Sequence, residues 1–337
     1  RASWIGRVAA VGGAVELLTS GRRVASAPSL GRDGAMAVLM STPAAPAEVY
    51  ALDQGELRPL SHQNDALLAG LRLGITEDFT STSSDGTVVH GLMVKPADFV
   101  AGRRYPTLLH IHGGPNGQDD WSFGFDRELY AAHGYVVLEI NYRGSSGRGE
   151  AFQKAIYADW GGKEVIDLLG AVDAAVRIGV ADPERLGLGG WSYGGILTNY
   201  VIASDPRFKA AISGASSSLQ LGMYGLDQYV IQYETELGRP WEAPEAWMKV
   251  SYPFFQADRI RTPTLFLCGE QDFNVPLAGV EQMYQALKSL NVETQLVLYP
   301  GQFHGLTTPS YQRDRFERFL AWWNQYLQPP PEVPAKP

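Results

Sequence analysis

Three residues in the C-terminal part of the chain have the types and the order that acyl-transfer chemistry needs: Ser192, Asp272 and His304. Ser192 stands in GLGGWSYGGIL (187–197), one small hydroxyl among five glycines. Glycine is costly in backbone entropy, so such a cluster marks backbone that must turn sharply or be approached closely. Read as G-x-S-x-G, the match is Gly190-Trp191-Ser192-Tyr193-Gly194. That pattern puts a serine at the apex of a tight strand-to-helix turn, where side chains at 190 and 194 would collide with neighbouring chain. A serine hydroxyl is a poor nucleophile until a base takes its proton, and the base must itself be oriented. LFLCGEQDFNVP (265–276) supplies Asp272 just after an apolar run, and LVLYPGQFHG (296–305) supplies His304 just after the next. Asp272 would hold the imidazole in the useful tautomer, and His304 would carry the proton.

Rival readings of the same residues are weaker. Glu270 is close enough to Asp272 to compete as the orienter. A dinucleotide turn needs G-x-G-x-x-G, but after Gly187 and Gly189 the third position is Ser192 itself. A tetrahedral intermediate also needs N–H donors aimed at its oxyanion. Tyr193, directly after the serine, is one candidate; Gly113 and Gly114 of HGGP (112–115) supply the other. His110 and His112 form an H-x-H pair that could suggest zinc, but no third ligand or nearby acid is apparent, so neither metal nor cofactor is expected. Cys268 lies inside an apolar run and reads as a small core residue rather than a nucleophile.

The elements that must position these groups change character along the chain. Up to about residue 75 the segments are short and β-like. AMAVLMST (35–42), AEVYALD (47–53) and GELRPLS (55–61) read as consecutive antiparallel strands around a Pro-rich turn, part of a larger β structure. From about residue 85, strands alternate with helices near 163–178, from Tyr193, near 278–290 and over 310–327. Alternation of this kind implies a mostly parallel, doubly wound sheet, the α/β-hydrolase arrangement in which Ser, Asp and His follow strands in that chain order. Residues 219–250, rich in Tyr, Trp and Leu, interrupt the alternation as a lid or pocket wall, and the Pro-rich end (329–337) is expected to be disordered.

Composition narrows the class. Hydrophobic residues make up 45% of 337 positions and charged residues 19%, as in a globular protein with a substantial core. A net charge of −8 without a basic stripe argues against nucleic acid, and no apolar run is long enough to span a membrane. A single cysteine excludes an internal disulfide and gives oxidising export no support, so a cytoplasmic location is expected.

HIHGGP, NYRGSSGRGEAF, DWGGKE, GGWSYGG, GEQDFNVP and PGQFHG, in this order, resemble the catalytic domain of the prolyl oligopeptidase family of serine peptidases. The likeness runs from roughly residue 75 to 327 and is strongest to the acylaminoacyl-peptidase and dipeptidyl-peptidase branches. It implies a β-propeller ahead of the hydrolase domain that restricts access to short peptides, and assembly into homo-oligomers. On that resemblance, residues 1–75 are the last blade or so of the propeller plus linker, the other blades being missing from this chain, and 76–328 the catalytic domain. Ser192, Asp272 and His304 match the nucleophile, orienter and base. His112 stands where prolyl oligopeptidases place a tyrosine hydroxyl, which favours the backbone N–H of Gly114. Two residues after Asp272 the family commonly carries arginine; here Asn274 can donate a hydrogen bond but cannot pair with a carboxylate. Leu221, Met223 and Tyr224, with Tyr229, are expected to line an S1 pocket that prefers apolar P1 side chains. An esterase or lipase of the same fold is the alternative, since the same groups serve esters.

Overall fold

Two β structures meet near residue 70. The computed structural model describes residues 1–53 and 55–328, so the tail expected to be disordered lies outside the described residues. A short hairpin pairs β1 (Gly6–Arg7) with β2 (Glu16–Leu17). Beside it, β3 (Val24–Leu30), β4 (Met36–Thr42), β5 (Ala45–Asp53) and β6 (Glu56–Pro59) form an antiparallel meander in chain order. The loop between β4 and β5 is tighter than its prolines suggest, with β5 already begun at Ala45. Period-two burial puts Val38, Met40 and Leu52 on one face with Ile5 and Ala25, a small core of its own. The short helix α1 (Asp65–Leu68) leads on to the main sheet.

The main sheet contains β7 (Ile75–Thr82), β8 (Val88–Lys95), β9 (Tyr105–Ile111), β10 (Val136–Asn141), β11 (Ala181–Trp191), β12 (Ala210–Gly214), β13 (Thr264–Gly269) and β14 (Thr294–Tyr299). Their spatial order is β14-β13-β12-β11-β9-β10-β8-β7. The run from β14 to β10 is parallel, while β8 and β7 are antiparallel at one edge. Strands β10, β12 and β13 are buried along their whole length, as their continuous apolar runs require of strands covered on both faces. On one face lie α4 (Lys163–Arg177), α5 (Tyr193–Ser204) and α9 (Leu277–Ser289); on the other lie α2 (Phe125–Ala132) and α10 (Pro309–Leu327). Between β12 and β13 the chain makes α6 (Val230–Glu236), α7 (Pro244–Val250) and α8 (Tyr252–Phe255), where Tyr233, Leu237, Trp247 and Val250 form a satellite cluster. Between β10 and α4 sits the short α3 (Glu150–Gln153). No helix among the described residues is long and apolar enough to cross a membrane.

This topology decides where a site lies. From β9 the chain goes to β10 on one side, then returns to β11 on the other, so β9 and β11 are neighbours at the point where the strand order reverses. Ligands in open α/β sheets bind outside the carboxyl ends of the strands at such a point. HGGP follows β9 and Ser192 follows β11.

Candidate active site

Ser192 occupies a single residue between β11 and α5, with φ 62° and ψ −129°. A side chain in that region is strained, and the surroundings must over-determine it. The Ser192 N–H donates to the Gly214 carbonyl at 3.0 Å. On the other side of the turn, a Cβ at Gly190 or Gly194 would lie 2.3 or 2.0 Å from the Ile111 carbonyl oxygen, closer than any Cβ tolerates. The collisions expected at these two positions are therefore present.

Asp272 and His304 lie on the loops after the adjacent strands β13 and β14, and His304 Nδ1 is 2.7 Å from Asp272 Oδ2. The carboxylate only accepts, so the imidazole proton sits on Nδ1 and leaves Nε2 free to accept. Asp272 is buried, and its other oxygen accepts the N–H groups of Asn274 and Val275, each at 2.9 Å. Glu270, the alternative orienter, is exposed, and His304 pairs with Asp272 instead. The indole N–H of Trp191, the residue before Ser192, donates to the His304 carbonyl at 2.8 Å. The His304 loop and the serine turn are thus tied directly. Among the described residues the Ser192 hydroxyl forms no hydrogen bond with His304.

Gly113 lies against the serine: a Cβ there would be 3.3 Å from Ser192 Cβ. Gly114 lines the cavity in front of Ser192, and Tyr193 is the first residue of α5, whose N–H has no acceptor one turn back. His112 does not aim a nitrogen at this space. Its Nδ1–H donates to the Gly113 carbonyl at 2.8 Å and its Nε2 accepts the Ser145 hydroxyl at 2.9 Å. Burial pushes His112 down to about 4, so the ring is neutral.

The cavity holds about 300 Å³ and is walled by Ile156, Tyr157, Trp160, Ile196, Met223 and Tyr233. Met223 and Asn274 line it, as does Tyr229, whose hydroxyl donates to Asn274 Oδ1. Tyr224 and Leu221 do not, which corrects their expected place in the pocket. The 3₁₀ turn Gln220–Met223 points Met223 inward and leaves Leu221 half-exposed, while Tyr224 packs between Trp241 and Trp247 and donates to Glu234. The walls contributed by Tyr157, Trp160 and Tyr233 were not singled out from the sequence. Their aromatic types were visible, but not the approach of the segment after α3 to α6, where the Tyr157 hydroxyl donates to the Thr235 carbonyl at 2.6 Å.

The H-x-H pair needs a second correction. His110 and His112 diverge, because β9 ends at Ile111, and acids do surround His110. Its Nε2 is 3.1 Å from Asp126, and Glu139, itself paired with Arg127 at 2.7 Å, is 3.6 Å from Nδ1. Burial opposes a charge on His110, but Asp126, Glu139 and Asp119 override it and push the ring up to about 9. The ligand atoms of His110, Asp119 and Glu139 approach within 4.8 Å of one another, yet Arg127 already supplies the cation there. These residues were missed because they come from a strand, a loop and a helix with no common spacing.

Comparison with known proteins agrees with this geometry. Residues 121–330 match the prolyl oligopeptidase family. The chain is 33% identical over 296 residues to the uncharacterized peptidase YuxL of Bacillus subtilis (strain 168), covering 86% of this chain and 45% of that protein. It is 33% identical over 237 residues to an acylamino-acid-releasing enzyme of Arabidopsis thaliana, covering 67% of this chain and 31% of that one. Among solved structures it resembles the uncomplexed acylaminoacyl peptidase of Pyrococcus horikoshii, with TM-score 0.87, 28% identity and coverage of 95% of this chain and 52% of the other. The chain thus spans less than half the length of these two curated relatives. With the serine turn and the loops after β13 and β14 all in the matched region, the chain belongs to the prolyl oligopeptidase family.

Proposed function

We propose that this chain carries the catalytic site of a serine peptidase acting on short peptides, with Ser192 as nucleophile, His304 as general base and Asp272 as its orienter. The observation that carries the reading is the 2.7 Å contact between His304 Nδ1 and buried Asp272, on consecutive post-strand loops and tethered to the serine turn through Trp191. His304 Nε2 takes the Ser192 proton as Oγ attacks the scissile carbonyl. The oxyanion receives the N–H groups of Tyr193 and Gly114, with Gly113 alongside. His304 then protonates the leaving amine, and water repeats the sequence on the ester.

The acyl-side residue enters the cavity, whose aromatic and aliphatic walls favour apolar P1 side chains, and Asn274 contacts the substrate backbone. Residues 1–75 are read as the end of a propeller whose other blades limit access, residues 76–328 as the catalytic domain. The small open meander supports this, since one such sheet buries little by itself. The exopeptidase reading is of acylaminoacyl- or dipeptidyl-peptidase type, for a cytoplasmic protein that forms homo-oligomers.

The test is mass spectrometry of products from short peptides with free and N-acetylated N-termini, using the full-length protein with Ser192→Ala as control. Release of acetylated residues or of dipeptides, lost in the variant, is expected. Peptide turnover that survives Ser192→Ala, or turnover of simple esters with no peptide cleavage, would overturn the reading.

A further inference from the structure

Behind the oxyanion loops lies a buried acid with no part in the triad. Glu164, near the start of α4, is fully buried, and its Oε1 accepts the hydroxyl of Tyr193 at 2.7 Å. Its Oε2 has no hydrogen-bond partner among the described residues. Tyr193 is the residue whose backbone N–H follows the nucleophile. Its ring lies 6.4 Å from that of Tyr142, which in turn stacks on His112 at 4.4 Å and 13°. The Tyr142 hydroxyl donates to the His112 carbonyl at 2.8 Å, and His112 Nδ1–H holds the Gly113 carbonyl. A peptide plane is rigid and its C=O and N–H point opposite ways. Holding the Gly113 oxygen therefore aims the Gly114 N–H.

We propose that Glu164 is a positioning residue for the oxyanion hole: through its hydrogen bond it fixes Tyr193 and, through the stack Tyr193–Tyr142–His112, sets the span between the Tyr193 and Gly114 donors. This rests on the serine peptidase reading above. The groups facing Glu164 explain its neutrality. Tyr193 and Tyr200 face it from α5, Tyr142 from the end of β10, Tyr252 from α8 and Asp159 from the preceding loop. Arg143 lies nearby but is bound to Asp167 and Asp85, so no cation pairs with Glu164 among the described residues. Burial accordingly pushes Glu164 up to about 8, against the hydrogen bond from Tyr193. An ionised carboxylate here would oppose the charge that develops on the oxyanion.

The test uses the full-length protein and two probes, N-acetylalanine p-nitroanilide and a fluorophosphonate that labels the serine. Loss of a single oxyanion donor costs about 10²–10³ in kcat, so misaimed donors should cost roughly tenfold. Glu164→Leu and Tyr193→Phe are expected to lower kcat and the phosphonylation rate about tenfold with KM within twofold. Glu164→Gln, which keeps the acceptor and cannot ionise, should restore kcat at pH 7 and abolish a fall in wild-type kcat centred near pH 8. Tyr193→Phe keeps the test open if Glu164→Leu fails to fold. Unchanged kcat in Tyr193→Phe, a loss confined to KM, or an alkaline fall that persists in Glu164→Gln would overturn the proposal. If the wild-type serine is not phosphonylated and Ser192→Ala still turns substrate over, the triad reading itself has failed.

Discussion

The two sides of the serine turn are electrostatic opposites. In front, beside the oxyanion loops, two buried titratable groups other than Asp272 are neutral: His112 is held down to about 4 and Glu164 up to about 8, among tyrosines. Behind the turn, two residues from His112, His110 carries its proton up to about 9 in a knot of Asp126, Glu139 and Arg127. The back network clips α2 to the sheet, where full charges compensate each other. Under the proposed function, the charge that matters beside Tyr193 and Gly114 appears only during reaction, and a fixed negative charge next to those donors would oppose it. The lesson is that burial alone does not set ionisation; the presence or absence of a partner does.

This division is broken most severely from the front. Ser192→Ala should lower kcat by about 10⁶ and Asp272→Asn by about 10⁴, with the melting temperature held or raised. Steady-state kinetics beside calorimetry checks both. The back should behave in the reverse way. Arg127→Met leaves Glu139 buried without its partner and should cost about 3–5 kcal/mol of unfolding free energy. In denaturant titrations that loss should appear while kcat of the folded protein stays within twofold.

Smaller effects sharpen the contrast. The raised pKa of His110 contributes stability that is complete below its unfolded value and is lost as pH rises from about 6.5 through about 9. The depressed pKa of His112 has the opposite sense: the unfolded chain binds a proton that the folded ring refuses, so stability falls as pH drops from about 6.5 towards 4. Melting curves against pH should therefore flatten on the alkaline side in His110→Gln and on the acid side in His112→Gln. An unchanged pair of curves would remove the distinction between the two histidines. Least of all, Met223→Ala should lower kcat/KM for peptides with P1 leucine by roughly tenfold, with P1 alanine little affected.

The sequence made part of this legible. Gly190 and Gly194 announce the serine turn because their constraint is local, a Cβ against the Ile111 carbonyl, and local constraints leave local patterns. The strands from β8 onward and the helices at α4, α5, α9 and α10 were readable from apolar runs and helical spacing, but β7 (Ile75–Thr82), with its polar and half-exposed run, and the early start of β11 at Ala181 were not. Leu221 and Tyr224 misled because a one-turn 3₁₀ element reverses facing within three residues, and composition says nothing of facing. Glu164 was quoted as the end of DWGGKE without a role. Its partner Tyr193 is 29 residues away, and only the packing of α4 on α5 joins them. The acids around His110 were hidden for the same reason.

The tether from Trp191 to the His304 carbonyl reaches further than the two loops it joins. Arg315 on α10 lies over the Trp191 ring, 5.6 Å from its centre, and the ring packs against Gly214. The height of His304 above Ser192 is thus gauged from the far side of the sheet by the chain's last described helix. Shortening that helix, or replacing the indole by a phenyl ring, would detune proton transfer with every substrate contact intact, so damage near the C-terminal end would look in kinetics like damage to the base.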